Sequence, residues 1–148
     1  MENLTEKNAV AAIITPAAAR AAGSYVSPAI EAQYYDRLAA RVMIGTLAGA
    51  ATLTGKFQHN SVSASSDAGW ADVSSASCIT SAFASGSNDK VGQLELALEQ
   101  HPNVSPYVRF YVSAATSTWL GAVIVEGEPK FRPATGVDTA DVVQTVVY

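Results

Sequence analysis

The sequence predicts an all-β chain, an antiparallel β-sandwich or jelly roll of about eight strands with extended N- and C-terminal arms. Three observations carry this expectation. Short runs enriched in Val, Ile, Thr, Tyr and Phe recur roughly every 8 to 12 residues, and clusters of Gly, Ser, Asn and Pro separate them. Within several runs the apolar residues alternate at period two, the pattern of a strand with one face buried and one face wet. The composition, 49% hydrophobic and only 15% charged over 148 residues, suits one domain with one core and fits neither a disordered chain nor a coiled coil.

The densest stretch is YVRFYVSAATSTWLGAVIVEGEPKFRPA, residues 107–134. Over 107–113 nearly every side chain is β-branched or aromatic, which fits a pleated, half-buried surface. Alternation points Val108, Phe110 and Val112 inward. It sends Tyr107, Arg109 and Tyr111 to the other face, where a guanidinium can lie against aromatic rings and stay partly wet. Residues 120–125 are apolar at both parities, so this run is expected to be a central or covered strand. Gly127, free to take positive φ, and Pro129, which has no N–H for a ladder, are expected to stop it. With the small, hydroxylated residues 114–118 between them, the two runs read as a hairpin.

The rest of the chain divides into an N-terminal arm (1–22), the sandwich domain (23–135) and a C-terminal β-prone tail (136–148). In the arm, Val10, Ile13 and Ile14 lean towards strand, Pro16 interrupts, and the alanine-rich 17–22 has too few large side chains to hold itself in place. The domain opens with GSYVSPAI, a short extended piece in which Pro28 marks an edge or bend. Residues 38–45 form a strand with Leu38, Ala40, Val42 and Ile44 on one face. Over 52–58, Leu53, Gly55 and Phe57 alternate with Thr54, Lys56 and Gln58, and a turn at Gly49 makes these two runs a second hairpin.

Residues 59–69, HNSVSASSDAG, are a polar loop, followed by a brief return element at Trp70, Asp72 and Val73 and a strand over 77–83. In 91–100 the leucines Leu94, Leu96 and Leu98 recur at period two. Three such residues would spread around a helix, so this run is expected to be a strand despite the helix preference of Leu and Glu. His101, Pro102, Asn103 and Pro106 form the loop into the central stretch, and Val143, Val147 and Tyr148 make the tail β-prone.

Charge and cysteine content exclude several classes. A net charge of -4 without any Lys/Arg cluster disfavours nucleic acid and anionic membranes, both of which need a basic surface. The single cysteine, Cys78, allows no intrachain disulfide and reads as a small buried hydrophobe. The N-terminus opens on acidic residues, unlike a signal peptide, and no run is long enough to span a bilayer.

No motif supplies a catalytic centre. GAATLTGKF, residues 49–57, resembles a phosphate-binding loop but is one residue too long and has Phe57 where a magnesium-binding Ser or Thr is needed. His59 and His101 could join Asp67 and Asp72 in a metal site only if their loops met, and no H-x-x-x-H spacing supports that; solvated loop positions account for them better. Serines are plentiful but no G-x-S-x-G occurs, and turns and wet strand faces explain them. Trp70 and Trp119 with Tyr107 and Tyr111 could line a sugar platform, although core or interface packing is the simpler account. No catalytic, cofactor-binding or metal-ligating residue is therefore expected.

The order of GSYVSPAI, then LAARVMIGTLAGAATLTGKFQHN, then GWADV, a leucine strand and the 107–134 stretch resembles the small virion proteins of tailed bacteriophages, in particular jelly-roll head decoration (cement) proteins. The resemblance covers about residues 23–134. It implies a non-enzymatic protein made in the host cytoplasm and carried on the capsid surface. Its partners would be the major capsid protein and further copies of itself, often as a homotrimer. The poorly self-supporting termini suit strand addition to a neighbour. The residues expected near partner contacts are Ile13, Ile14, Arg109, Lys130, Phe131, Arg132, Val143, Val147 and Tyr148. The alternatives are a carbohydrate- or receptor-binding sandwich and a tail or neck component.

Overall fold

The computed structural model describes residues 9–47, 52–73, 81–83, 90–115 and 119–130. Ten strands run through them: β1 (Ala9–Arg20), β2 (Gly23–Val26), β3 (Ile30–Glu31), β4 (Tyr35–Leu47), β5 (Leu53–Asn60), β6 (Ala71–Asp72), β7 (Ser81–Phe83), β8 (Lys90–Ala97), β9 (Tyr107–Ala114) and β10 (Trp119–Pro129). They form two antiparallel sheets. The first has the order β1-β10-β4-β8, and the second β2-β9-β5-β6, with β3 added to β9 and β7 to β5.

Setting aside the short β3 and β7, the first strand pairs with the last, the second with the last but one, and so inward to β5 with β6. That nesting is a jelly roll, as the sequence predicts. It also corrects both hairpins. β9 pairs with β2, β3 and β5, while β10 pairs with β1 and β4, so these two strands lie in different sheets. β4 and β5 are likewise separated. Period-two alternation reports which face a side chain takes and says nothing about the partner strand, and a jelly roll draws its partners from far along the chain.

The faces themselves match expectation. Leu38, Ala40, Val42 and Ile44 are buried along β4, Leu94 and Leu96 along β8, and Val108, Phe110 and Val112 along β9. These residues, with Leu53, Phe57, Val123 and Val125, form one core between the sheets. Phe57 and Phe110 meet edge to face there, centroids 5.0 Å apart. Central β10 buries Ala122 as well as Val123 and Val125, in keeping with a strand apolar at both parities.

Residues 9–20, expected within the N-terminal arm, form the edge strand β1 of the sandwich. Ala9 stands opposite Gly127, Ala12 opposite Val125 and Ile14 opposite Val123, so Ala11 is an extra residue that switches the alternation. Ala9, Ala12 and Ile14 are all buried in consequence.

β10 runs through Gly127 and ends at Pro129, so the proline stops it as expected and the glycine does not. Gly127 serves by its lack of a side chain: a Cβ there would run into the ring of Tyr35, which is 1% exposed. Tyr35 enters the core because the ladder slips by one residue between Glu128 and Pro129. Burial pushes its phenol above the ordinary tyrosine value.

Candidate functional site

The outer face of the second sheet carries a chain of polar contacts that begins with alternation. Because Val108, Phe110 and Val112 face the core, Arg109 and Tyr111 face out, beside Lys56 and Gln58 of the paired strand β5. The Tyr111 and Ser24 hydroxyls are 2.5 Å apart, and the Lys56 ammonium stands 5.0 Å from the Tyr111 ring centroid. Lys56 donates to Asp72 Oδ2 at 2.7 Å, and Gln58 Nε2 donates to Asp72 Oδ1 at 2.9 Å. Burial alone raises the Asp72 carboxyl, but the hydrogen bonds from Lys56 and Gln58 and the charge of Lys56 together hold it below its ordinary value.

Arg109 ends this chain and is the most buried cation in it. Its residue exposure is 2%, because the loop after β5 folds across the sheet and covers it. Nε and Nη2 donate to Gln58 Oε1 at 3.0 and 2.8 Å, and Nη2 also donates to Asp67 Oδ1 at 2.8 Å. The guanidinium carbon lies 4.4 Å from the Trp70 ring centroid. Trp70 is held in turn by its Nε1–H donating to Ala64 O at 3.2 Å. Gly69, at φ 83°, makes the turn that returns Trp70 to the sheet, and a Cβ there would press on the Asn60 amide 3.2 Å away.

A cleft of about 390 Å³ opens beside this cluster, lined by Arg109, Trp70, Ser63, Ser65, Ser27 and Pro28 among others. The sequence explains one wall. Val26 pairs with Tyr111 and Ile30 with Val108, so three residues, 27–29, stand opposite two. Pro28 cannot donate to the ladder, and the edge opens there. Ser27 pins the break: its N–H donates to Phe110 O and its Oγ accepts from Phe110 N, both at 2.9 Å.

A second, smaller cleft of about 130 Å³ is lined by His59, Val73, His101 and Asn103 among others. His59 Nδ1 accepts the Ser105 backbone N–H at 3.0 Å and lies 3.0 Å from Ser105 Oγ. This is the nearest approach to a nucleophile–base pair among the described residues, and no described carboxylate orients the ring. No group of three or more His, Cys, Asp or Glu suited to a metal gathers among the described residues. Asp67 and Asp72, the carboxylates considered for one, engage Arg109 and Lys56.

The residues expected near partner contacts are dispersed. Ile13 is half-buried in β1 opposite Ile124, and Ile14 is buried. Arg109 is buried as well, not partly wet, because loop 61–70 covers it. Lys130 is exposed, and its backbone N–H donates to Tyr34 O at 2.8 Å. Phe131, Arg132, Val143, Val147 and Tyr148 lie outside the described residues, as do Cys78 and Gly49. Sequence reasoning missed Gln58 and the pairing of Asp67 with Arg109. The available signal was Asp67 two residues before a turn glycine in a loop that ends on an aromatic. No protein-family model matches the chain, and no curated protein matches it.

Proposed function

We propose that this chain is a non-catalytic structural protein of a virion, a decoration or cement protein that binds the outside of a phage head and bridges capsomers, as its sequence resemblance implies. The observation that carries this reading is the free edge of the first sheet at β8. Eight residues of β8 pair with β4 without a register shift, and no described strand pairs with the other side. A regular edge of that length, with Val91 64% exposed on it, suits strand addition by a neighbouring chain. The jelly roll itself serves viral capsid proteins and lectins alike and adds only an analogy.

The test is sedimentation of the purified chain with phage heads stripped of their surface proteins, paired with light scattering of the free protein. Saturable binding to heads and a trimer in solution support the reading. Failure to bind, or imaging that places the chain on the tail or neck, overturns it.

A further inference from the structure

We propose that the cleft beside Arg109 is a binding site for a neutral, hydroxyl-rich ligand, a pyranose unit of a glycan. The site would operate whether or not the chain decorates a head. Its parts come from three places in the sequence: the break in the sheet edge at Ser27 and Pro28, the loop carrying Ser63 and Ser65, and Arg109 of β9 beneath Trp70. A cleft of about 390 Å³ falls within the usual size range of small-ligand sites.

The free hydrogen-bonding groups decide the ligand chemistry. Arg109 spends Nε and Nη2 on Gln58 and Asp67, and among the described residues Nη1 has no acceptor. A guanidinium donor this deeply covered is costly to leave unmatched. The Ser63 and Ser65 hydroxyls likewise bond to no described residue, and each can both donate and accept. Ser27, by contrast, is fully engaged with Phe110 and Pro28. The open groups are thus the two N–H donors of Nη1 and two hydroxyls, a set that matches sugar hydroxyls.

Charge argues for a neutral ligand. Arg109 already faces the Asp67 carboxylate at 2.8 Å, so the cleft offers no net positive charge, and a ligand carboxylate would meet Asp67 at close range. Val26, Pro28, Ala29 and the edge of Trp70 supply apolar surface for the C–H face of a ring.

The test is a titration of the ¹⁵N-labelled full chain with lactose, maltose, chitobiose and N-acetylneuraminic acid, followed by NMR. Saturable shifts of the Trp70 indole N–H and the Ser63 and Ser65 amides are expected with at least one neutral sugar, at millimolar affinity. Replacing both exposed serines, Ser63→Val with Ser65→Val, is expected to weaken binding about tenfold, the effect of losing one or two hydrogen bonds, with the melting temperature unchanged. Arg109→Lys, which keeps the charge but loses the planar fork, is expected to weaken it as well. Three results would overturn the proposal: no saturable shift up to roughly 50 mM sugar, unaltered affinity in the double serine variant, or binding of the acidic sugar alone.

Discussion

Arg41 and Arg109 are both outward-facing arginines on interior strands of a sheet, and their surroundings differ completely. The Arg41 side chain is 49% exposed and meets Glu126 Oε2 at 3.0 Å, on a face shared with Arg37, Glu95 and Glu128. The Arg109 side chain is 3% exposed and is held by Gln58, Asp67 and Trp70. Alternation placed both residues in the same way. The difference is a covering: loop 61–70 lies across the second sheet, whereas the charged face of the first meets water. Desolvation then makes every unmade contact of Arg109 expensive, while water replaces those of Arg41 almost without cost.

The sharpest way to break this contrast is Arg109→Ala. It removes the donors to Gln58 Oε1, which is itself 7% exposed as a residue, and uncovers one face of Trp70. A loss of about 3 kcal/mol is expected in urea unfolding, with loop 61–70 becoming accessible to proteolysis in the folded protein. If the stability loss stays below about 1 kcal/mol, the loop is not held by the arginine. Next comes Gly127→Ala, which strains the first sheet from the inside by driving a methyl group into the Tyr35 ring. About 2 kcal/mol is expected, with Tyr35 fluorescence altered and the Arg109 cluster untouched. Since the two sites lie in different sheets, the double variant should show additive losses.

How much of this could be read from the chain follows from which features are local. The strands at Leu38–Ile44 and Val108–Val112, and the inward faces of both, were legible because period two is written in neighbouring residues. β8 was legible for the same reason, through Leu94 and Leu96. The partners of β9 and β10 were not, because a jelly roll pairs strands across long separations. β1 was obscured by three register shifts, each of which breaks the alternation a strand is recognised by. Arg109 was placed on the correct face and given the wrong exposure, since its burial depends on a loop whose course no periodicity records. Gly127 looked like a terminator because a glycine required for close approach and one required for a turn are identical in sequence.

Acid should separate the two faces further. The Asp72 carboxyl lies below its unfolded value, so its contribution is present at neutral pH and is lost as the pH falls below about 4 and through the folded value. Asp72 has a side chain 55% exposed, which limits the contribution to about 0.5–1 kcal/mol. Asp72→Asn is expected to lose that much at pH 7 and less at pH 3, measured by urea midpoints at both values. Equal losses at the two pH values would show that the carboxylate is not held by Lys56 and Gln58.

The smallest effect is expected at Arg41→Ala. Removing one partner of an exposed ion pair leaves Glu126 in contact with water, so stability should change by no more than about 0.5 kcal/mol, and less still in 1 M salt. The value of this variant lies in its pairing with Arg109→Ala. A ratio of at least about six between the two losses follows if covering sets the energetics, because the residue type is the same and both strands are interior. If Arg41→Ala costs as much as Arg109→Ala in the isolated protein, the charged face of the first sheet is itself covered in solution, and the β8 edge beside it, which no described strand pairs, is the place to look for what covers it.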